Sequence, residues 1–229
     1  MAGAEGIRAV FLDVDNTLLD FDKCAEYACR ASASELGLVL PEGIIDAFHM
    51  VSNPLWRSLQ DGEITLEELY RLRWARIFAL LDLPYDGVAF EKAFRVHLSE
   101  SAEPVEGAEA LLKYLRPRYI LCAASNGPQA QQLYRLEKAG MLSFFDRCFI
   151  SEAIGASKPQ RAFFDACFAA LEGVSPGETM MIGDSLSADI AGAAACGMHG
   201  CWFNKRSLPL PPEAPEHVVR TLPEIRAFL

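Results

Sequence analysis

An apolar run, Ala9-Val10-Phe11-Leu12, stops at two aspartates, Asp13 and Asp15, with one residue between them. Unbroken Val, Phe and Leu fit a strand buried on both faces, the kind found in parallel sheets. An unpaired carboxylate is costly inside such a strand. Both acids therefore belong at its carboxyl end, where an α/β sheet opens toward ligands. Residues two apart in an extended segment point the same way. Two carboxylates facing one space repel, which invites either a divalent cation or a shared proton. The plainer alternative is an Asp/Asn-rich turn that ends the strand.

The pattern after this strand is helical. Asp22–Leu36 reads as a helix stopped by Gly37, and Pro41–Leu59 as a second, interrupted at Asn53-Pro54. Thr65-Leu66-Glu67-Glu68 has the spacing of a capping box and opens a third; Asp86–Leu98 makes a fourth. No strand is evident between residues 20 and 103. From Pro104 strands and helices alternate. Helices are predicted over Ala108–Leu115, Pro128–Ala139, Gln160–Leu171 and Ser187–Cys196. Strands are predicted over Tyr119–Ala124, Arg147–Ile150, Thr179–Ile182 and His199–Phe203. A proline-rich loop over 207–215, a short extended Val218-Val219 and a helix over Pro223–Phe228 close the chain. Such alternation builds a parallel sheet with helices on both faces, through right-handed crossovers. The expected fold is α/β, a Rossmann-like doubly wound parallel sheet, with an α-helical cap over residues 20–102 inserted into a core of residues 1–19 and 103–229.

Three strands end in polar clusters: Asp13/Asp15, Ser125-Asn126-Gly127 and Gly183-Asp184-Ser185. A fourth cluster, Ser157-Lys158-Pro159, follows the short strand. In a parallel sheet all strand carboxyl ends share one edge, so these residues should converge. Taken singly each has a plain reading, as a turn, a solvated loop or an N-cap. Together they supply hard oxygen ligands in Asp13 and Asp184 of the kind Mg2+ prefers. Ser125 and the backbone N–H groups of Asn126 and Gly127 can hold phosphate oxygens, and Lys158 can offset their charge. Asp15 can exchange a proton with a leaving oxygen. Asp189, on the following helix, either supports a metal site through water or faces solvent.

The chain has 229 residues and a formal net charge of −10, which argues against a nucleic-acid polymer or an anionic membrane surface as partner. A small anionic substrate stays compatible, because one ion and one lysine dominate a local field. Seven cysteines are scattered with no Cys-x-x-Cys, and read as small core residues in a reducing compartment. No run is long enough to span a bilayer, so a cytoplasmic protein is expected. P-loop and dinucleotide-binding glycine fingerprints are absent.

Asp13-Val14-Asp15-Asn16-Thr17, Ser125, Lys158 and Gly183-Asp184 with Asp189, in this order, resemble the four motifs of the haloacid dehalogenase (HAD) superfamily of phosphohydrolases with a small helical cap. Asn53-Pro54-Leu55-Trp56, Asp61-Gly62-Glu63-Ile64-Thr65, Leu136-Glu137-Lys138-Ala139-Gly140 and Cys201-Trp202-Phe203-Asn204 are similar to its bacterial pyrimidine 5′-nucleotidases. The resemblance implies Mg2+ on the Asp13 carboxylate, the Asp15 carbonyl and Asp184. It implies an aspartyl-phosphate on Asp13, Asp15 as acid and base, and phosphoryl stabilisation by Ser125, Asn126 and Lys158. It also implies a cap that closes over the site. Asn53, Trp56 and Arg57 are the cap residues expected to contact substrate; Trp56 stacks on a base or is a buried anchor of the cap. The expected partner is a small phosphorylated metabolite, a nucleoside monophosphate, bound by a monomer or homodimer. The rivals are a sugar-phosphate or acylneuraminate-phosphate phosphatase, a mutase, and a non-catalytic regulatory protein that binds phosphoryl ligands.

Overall fold

The computed structural model describes residues 6–229. By its internal contacts the chain divides into two compact units, Asp22–Ser101 and the pair of segments Met1–Phe21 and Ala102–Leu229.

The helical unit is built from α1 (Phe21–Leu36), α2 (Ile44–Gln60), α3 (Leu66–Leu80) and α4 (Gly87–Ser99). Thr65 caps α3 as its spacing predicts: its hydroxyl accepts the Glu68 amide, and the Glu68 carboxylate accepts the Thr65 amide. The expected break at Asn53-Pro54 does not occur, and α2 runs through Pro54. An internal proline costs a helix about 3 kcal/mol. The buried stripe Ala47, Phe48, Ser52 and Leu55 lies on both sides of it, and burying Phe48 and Leu55 alone offsets that cost at roughly 1.5–3 kcal/mol each. The centre of the unit is aromatic. Trp74 is fully buried and stacks among Phe48, Phe78, Phe90 and Phe94, with the Phe90 ring centroid 4.3 Å away. Arg73 and Glu91 are buried beside it as a two-point pair, Nε–Oε2 3.0 Å and Nη2–Oε1 2.5 Å. The guanidinium also lies over the Phe48 and Phe94 rings.

The second unit carries six strands: β1 (Ala9–Leu12), β2 (Ile120–Ser125), β3 (Arg147–Ile150), β4 (Thr179–Gly183), β5 (His199–Phe203) and β6 (His217–Val219). They form one wholly parallel sheet in the order β3-β2-β1-β4-β5-β6. The rule of alternate facing sorts β1 into two cores. Val10 and Leu12 join Leu111, Leu112 and Leu115 of α5 (Ala108–Leu115) and Leu136 of α6 (Gln129–Lys138). Phe11 faces the other way. After the short α7 (Ser151–Ile154), α8 (Arg161–Ala169) supplies Phe163, Phe164 and Cys167 to that second core.

Two further expectations are corrected. The predicted helix over Ser187–Cys196 starts as a π-helical turn, Leu186–Ile190, before α9 (Ala191–Ala195). The wider turn carries the Asp189 side chain inward, where its Oδ2 accepts the Ser185 amide at 3.0 Å. The C-terminal segment Leu222–Ala227 is a 3₁₀ helix, opened by a capping box of Thr221 and Glu224. The chain leaving and rejoining the sheet unit is stitched to itself: Asp20 N–H donates to the Glu103 carbonyl at 2.8 Å, and Val105 N–H to the Leu18 carbonyl at 2.9 Å. Leu19 and Pro104 form an antiparallel bridge there. Among the described residues no helix is long and apolar enough to cross a membrane.

The Arg73–Glu91 pair gives a test of the helical unit. Removing one partner leaves the other charge buried alone, so Glu91→Ala should destabilise the unit by about 3–5 kcal/mol. Urea unfolding followed by tryptophan fluorescence would measure it.

Candidate active site

Asp13 continues the ladder beyond β1, its amide donating to the Ile182 carbonyl of β4 at 2.9 Å. Because β1 lies between β2 and β4, this places the residue at the middle of the carboxyl edge. Asp13 is buried, and both its oxygens are engaged. Oδ2 accepts the Thr17 hydroxyl at 3.0 Å, and Oδ1 the Lys158 ammonium at 2.8 Å. Leu18 and Leu19 both donate their amides to the Val14 carbonyl, and Asn16 takes the left-handed conformation at φ 62°. Asparagine tolerates that conformation better than most residues. This tight turn carries the chain away directly after Asp15.

Lys158 is 1% exposed and uses its three donors on Asp13 Oδ1 at 2.8 Å, Asp189 Oδ1 at 2.7 Å and the Ala124 carbonyl at 2.6 Å. Burial works against its charge, but Asp13 and Asp189 outweigh burial and hold its pKa above the ordinary lysine value. Asp189, with 1% exposure, does not face solvent. Its approach to β4 is close: a Cβ on Gly183 would lie 2.2 Å from Asp189 Oδ2. Glycine is therefore the residue that fits there.

Asp184 follows β4, and its carbonyl accepts the Trp202 indole N–H of β5 at 2.9 Å. Asp13, Asp184 and Asp189 each offer an oxygen, all within 4.8 Å of one another. Burial, offset in part by Lys158, raises Asp13 from 3.8 to about 7. Burial, then repulsion from Asp13 and Asp189, raises Asp184 from 3.8 to about 8. Three carboxylates thus crowd around one buried ammonium, with Arg206 also acting on Asp184, and negative charge is in excess. Asp189 gives its two oxygens to Lys158 and Ser185. The donors are hard oxygens throughout, so the residues present fit a divalent cation such as Mg2+.

Ser125 ends β2 and is buried; its Oγ accepts the Gly127 amide at 3.2 Å. The Asn126 side chain brackets the Lys158 backbone, with Nδ2 donating to the Lys158 carbonyl at 2.8 Å and Oδ1 accepting its amide at 2.9 Å. Asn126 thus ties the Lys158 loop to the end of β2. Asp15 stands apart from Lys158. Its Oδ1 accepts Arg135 Nη1 at 2.6 Å and its Oδ2 accepts Gln132 Nε2 at 2.6 Å. Gln132 and Arg135, on α6, are absent from the sequence-based site. They share the face of buried Leu136, at helical positions i, i+3 and i+4. Polar residues at core-facing positions just after Ser125-Asn126-Gly127 were the available signal.

Of the expected substrate contacts, Asn53 and Arg57 are exposed and Trp56 is half-buried, all on α2 of the helical unit. Trp74, not Trp56, is the buried aromatic anchor of that unit.

The family model of haloacid dehalogenase-like hydrolases matches residues 7–197. The chain is 31% identical to the HAD-hydrolase YfnB of Bacillus subtilis over 97% of this chain and 95% of that one. It is 33% identical to the pyrimidine 5′-nucleotidase PynA of Streptococcus pneumoniae, covering 88% and 85%. It is 28% identical to the pyrimidine 5′-nucleotidase YjjG of Escherichia coli, covering 96% of each. The crystal structure of YfnB bound to magnesium superposes with a TM-score of 0.91 at 30% identity, over 97% of this chain and 98% of that one.

The raised carboxylates fix a sign. In the folded state Asp13 and Asp184 bind protons up to about 7 and about 8, against 3.8 for a free aspartate. Between pH 4 and 8 these two groups hold more protons in the folded chain than in the unfolded one, so they make it less stable as pH rises. Asp184→Asn should therefore raise the melting temperature of chelator-treated protein more at pH 8 than at pH 5. Thermal melts of both proteins at the two pH values check this, and Mg2+ should restore the wild type most at pH 8.

Proposed function

This chain belongs to the haloacid dehalogenase-like hydrolase family, and from that premise we propose that it is a Mg2+-dependent phosphatase of pyrimidine nucleoside 5′-monophosphates. The observation that carries the reading is the Asp13–Lys158–Asp189 chain of ion pairs with Asp184 alongside, at the edge where Ser125 and Asp15 also stand. The two nucleotidase relatives favour a nucleotide substrate.

Asp13, Asp184 and the Asp15 carbonyl would hold the ion. When bound, Mg2+ offsets the repulsion between a carboxylate and a dianionic phosphate and polarises the phosphoryl oxygens. An Asp13 oxygen attacks phosphorus; a P–O bond forms and the ester P–O bond breaks. The departing nucleoside oxygen takes a proton from Asp15, leaving an aspartyl-phosphate on Asp13. Asp15, now a carboxylate, takes a proton from water as that water attacks phosphorus. Inorganic phosphate leaves and Asp13 regains its carboxylate. Ser125 donates its hydroxyl hydrogen to a phosphoryl oxygen, and the Asn126 backbone N–H supplies a second donor. Lys158 offsets part of the carboxylate charge from behind Asp13 rather than by giving a hydrogen to the phosphoryl group. Asn53, Trp56 and Arg57 are the proposed substrate contacts from the helical unit, with Trp56 stacking on the base.

Phosphate release from uridine and thymidine monophosphates, with a panel of sugar phosphates beside them, tests the reading. Wild type with Mg2+ should turn over the nucleotides best. Chelation should abolish turnover, and Asp13→Asn should lower kcat by at least about 10³-fold, the scale of losing a covalent nucleophile. Preference for a sugar phosphate would replace the substrate, and equal activity of Asp13→Asn would remove the nucleophile.

A further inference from the structure

Gln132 joins two parts of the site that the sequence presents as separate. Its Nε2 lies 2.6 Å from Asp15 Oδ2 and 2.6 Å from Ser125 Oγ. Its Oε1 lies 3.0 Å from Arg135 Nη1. A guanidinium can only donate, so the amide atom facing it must be the carbonyl oxygen, and the orientation of the amide follows. The two hydrogens on Nε2 then go one to Asp15 and one to Ser125. Arg135 completes the arrangement by donating to Asp15 Oδ1 at 2.6 Å. Gln132 and Arg135 are 1% and 0% exposed, so neither is a loose surface contact. Gln132 is also held from behind, since a Cβ on Gly127 would lie 2.8 Å from its amide carbon.

Two consequences follow for donors and acceptors. A serine hydroxyl has two acceptor positions and one hydrogen. Ser125 Oγ accepts from Gln132 Nε2 and from the Gly127 amide, which fills both acceptor positions. Its own hydrogen is thereby committed to donation outward. The Asp15 carboxylate receives one fixed donor on each oxygen, which sets its rotation about the Cβ–Cγ bond.

We infer that Gln132 and Arg135 are positioning residues: together they set the rotation of the Asp15 carboxylate for proton exchange with the leaving oxygen and with water, and Gln132 turns the Ser125 hydroxyl into an obligate donor to the phosphoryl group. This rests on the reading of Asp15 as acid and base given above.

The two halves of the reaction separate the roles. A p-nitrophenolate leaving group needs no proton, whereas a nucleoside oxygen does. Hydrolysis of the aspartyl-phosphate needs Asp15 with either ester. Rapid-mixing and steady-state assays with p-nitrophenyl phosphate and uridine 5′-monophosphate would compare wild type, Asp15→Asn, Gln132→Met, Arg135→Met and Arg135→Lys. Arg135→Met should lose about 10–100-fold in kcat on uridine monophosphate, the scale of a misplaced catalytic group, with KM little changed. On p-nitrophenyl phosphate it should keep a burst of one p-nitrophenolate per enzyme, followed by slowed turnover. Gln132→Met should lower kcat and also raise KM, because it loses the Ser125 contact as well. Arg135→Lys should recover part of the loss.

Burst and turnover lost together would make the pair mere scaffold and overturn the inference. Wild-type behaviour of both methionine variants would overturn it too. Should Arg135→Met fail to fold, Gln132→Met decides by the same criteria, since it keeps the Arg135–Asp15 ion pair. Full activity of Asp15→Asn on uridine monophosphate would instead remove the acid–base reading itself. If uridine monophosphate is not turned over by the wild type, the burst assay alone decides on the pair.

Discussion

A buried ammonium with all three hydrogens committed is the constraint from which the rim of the sheet is built. Lys158 reaches Asp13 after β1, Ala124 in β2 and Asp189 in the π-helical turn after β4. Three segments distant in the chain are thus tied to one nitrogen carried by a fourth. Taking that charge out of water costs several kcal/mol, and its partners must repay the cost through good geometry. The surroundings supply that geometry. Asn126 brackets the Lys158 backbone, Thr17 braces the other Asp13 oxygen, and Gly183 leaves room for the Asp189 carboxylate. The bare backbone of Gly183 and the widened turn at Leu186–Ile190 serve the same ion pair.

Asp13, Ser125, Lys158 and Asp184 were legible because an apolar strand ending in a polar cluster violates the usual pattern of a buried sheet. The order of the strands was legible only as a parallel α/β class, since the central strand pairs with segments far along the chain, Ala9 with Ile120 and with Thr179. Asp189 was ambiguous. A helix of regular 3.6-residue period predicts its side chain to one side, and the wider local turn sends it to another. Gln132 and Arg135 were missed for a different reason. Their helix, Gln129–Lys138, is polar over most of its length and reads as a solvated face. Only the position of both residues on the Leu136 side marks them as buried, and that mark is visible only when the inward side of the helix is already known. Pro54 was read by its local rule and overruled by the buried stripe around it.

The acidic balance of the chain and the chemistry of an anionic substrate are reconciled locally. Overall the protein is strongly negative, at −10. At the rim, cations stand close behind the acids. Arg135 pairs with Asp15, and Lys205 donates to Asn16 at 3.0 Å and lies 3.6 Å from Asp20. Arg206 moderates the rise of the Asp184 pKa. Fields at this range depend on the nearest few charges, not on the sum over the chain. A phosphomonoester therefore meets ordered donors and a cation-hungry group of carboxylates, not the average charge of the molecule.

The stitch between Leu18–Asp20 and Glu103–Val105 has a consequence for how such a chain can change. It brings the two ends of the intervening eighty or so residues side by side, within hydrogen-bonding distance. To the sheet, everything between them is then one loop already closed at its neck. Closing a loop costs only about 0.6 kcal/mol more for each doubling of its length. The neck thus makes the insertion a module that can be lengthened, trimmed or exchanged wholesale at nearly constant cost to the parent scaffold. The helical unit can change in length and packing while the sheet and the residues along its rim stay as they are.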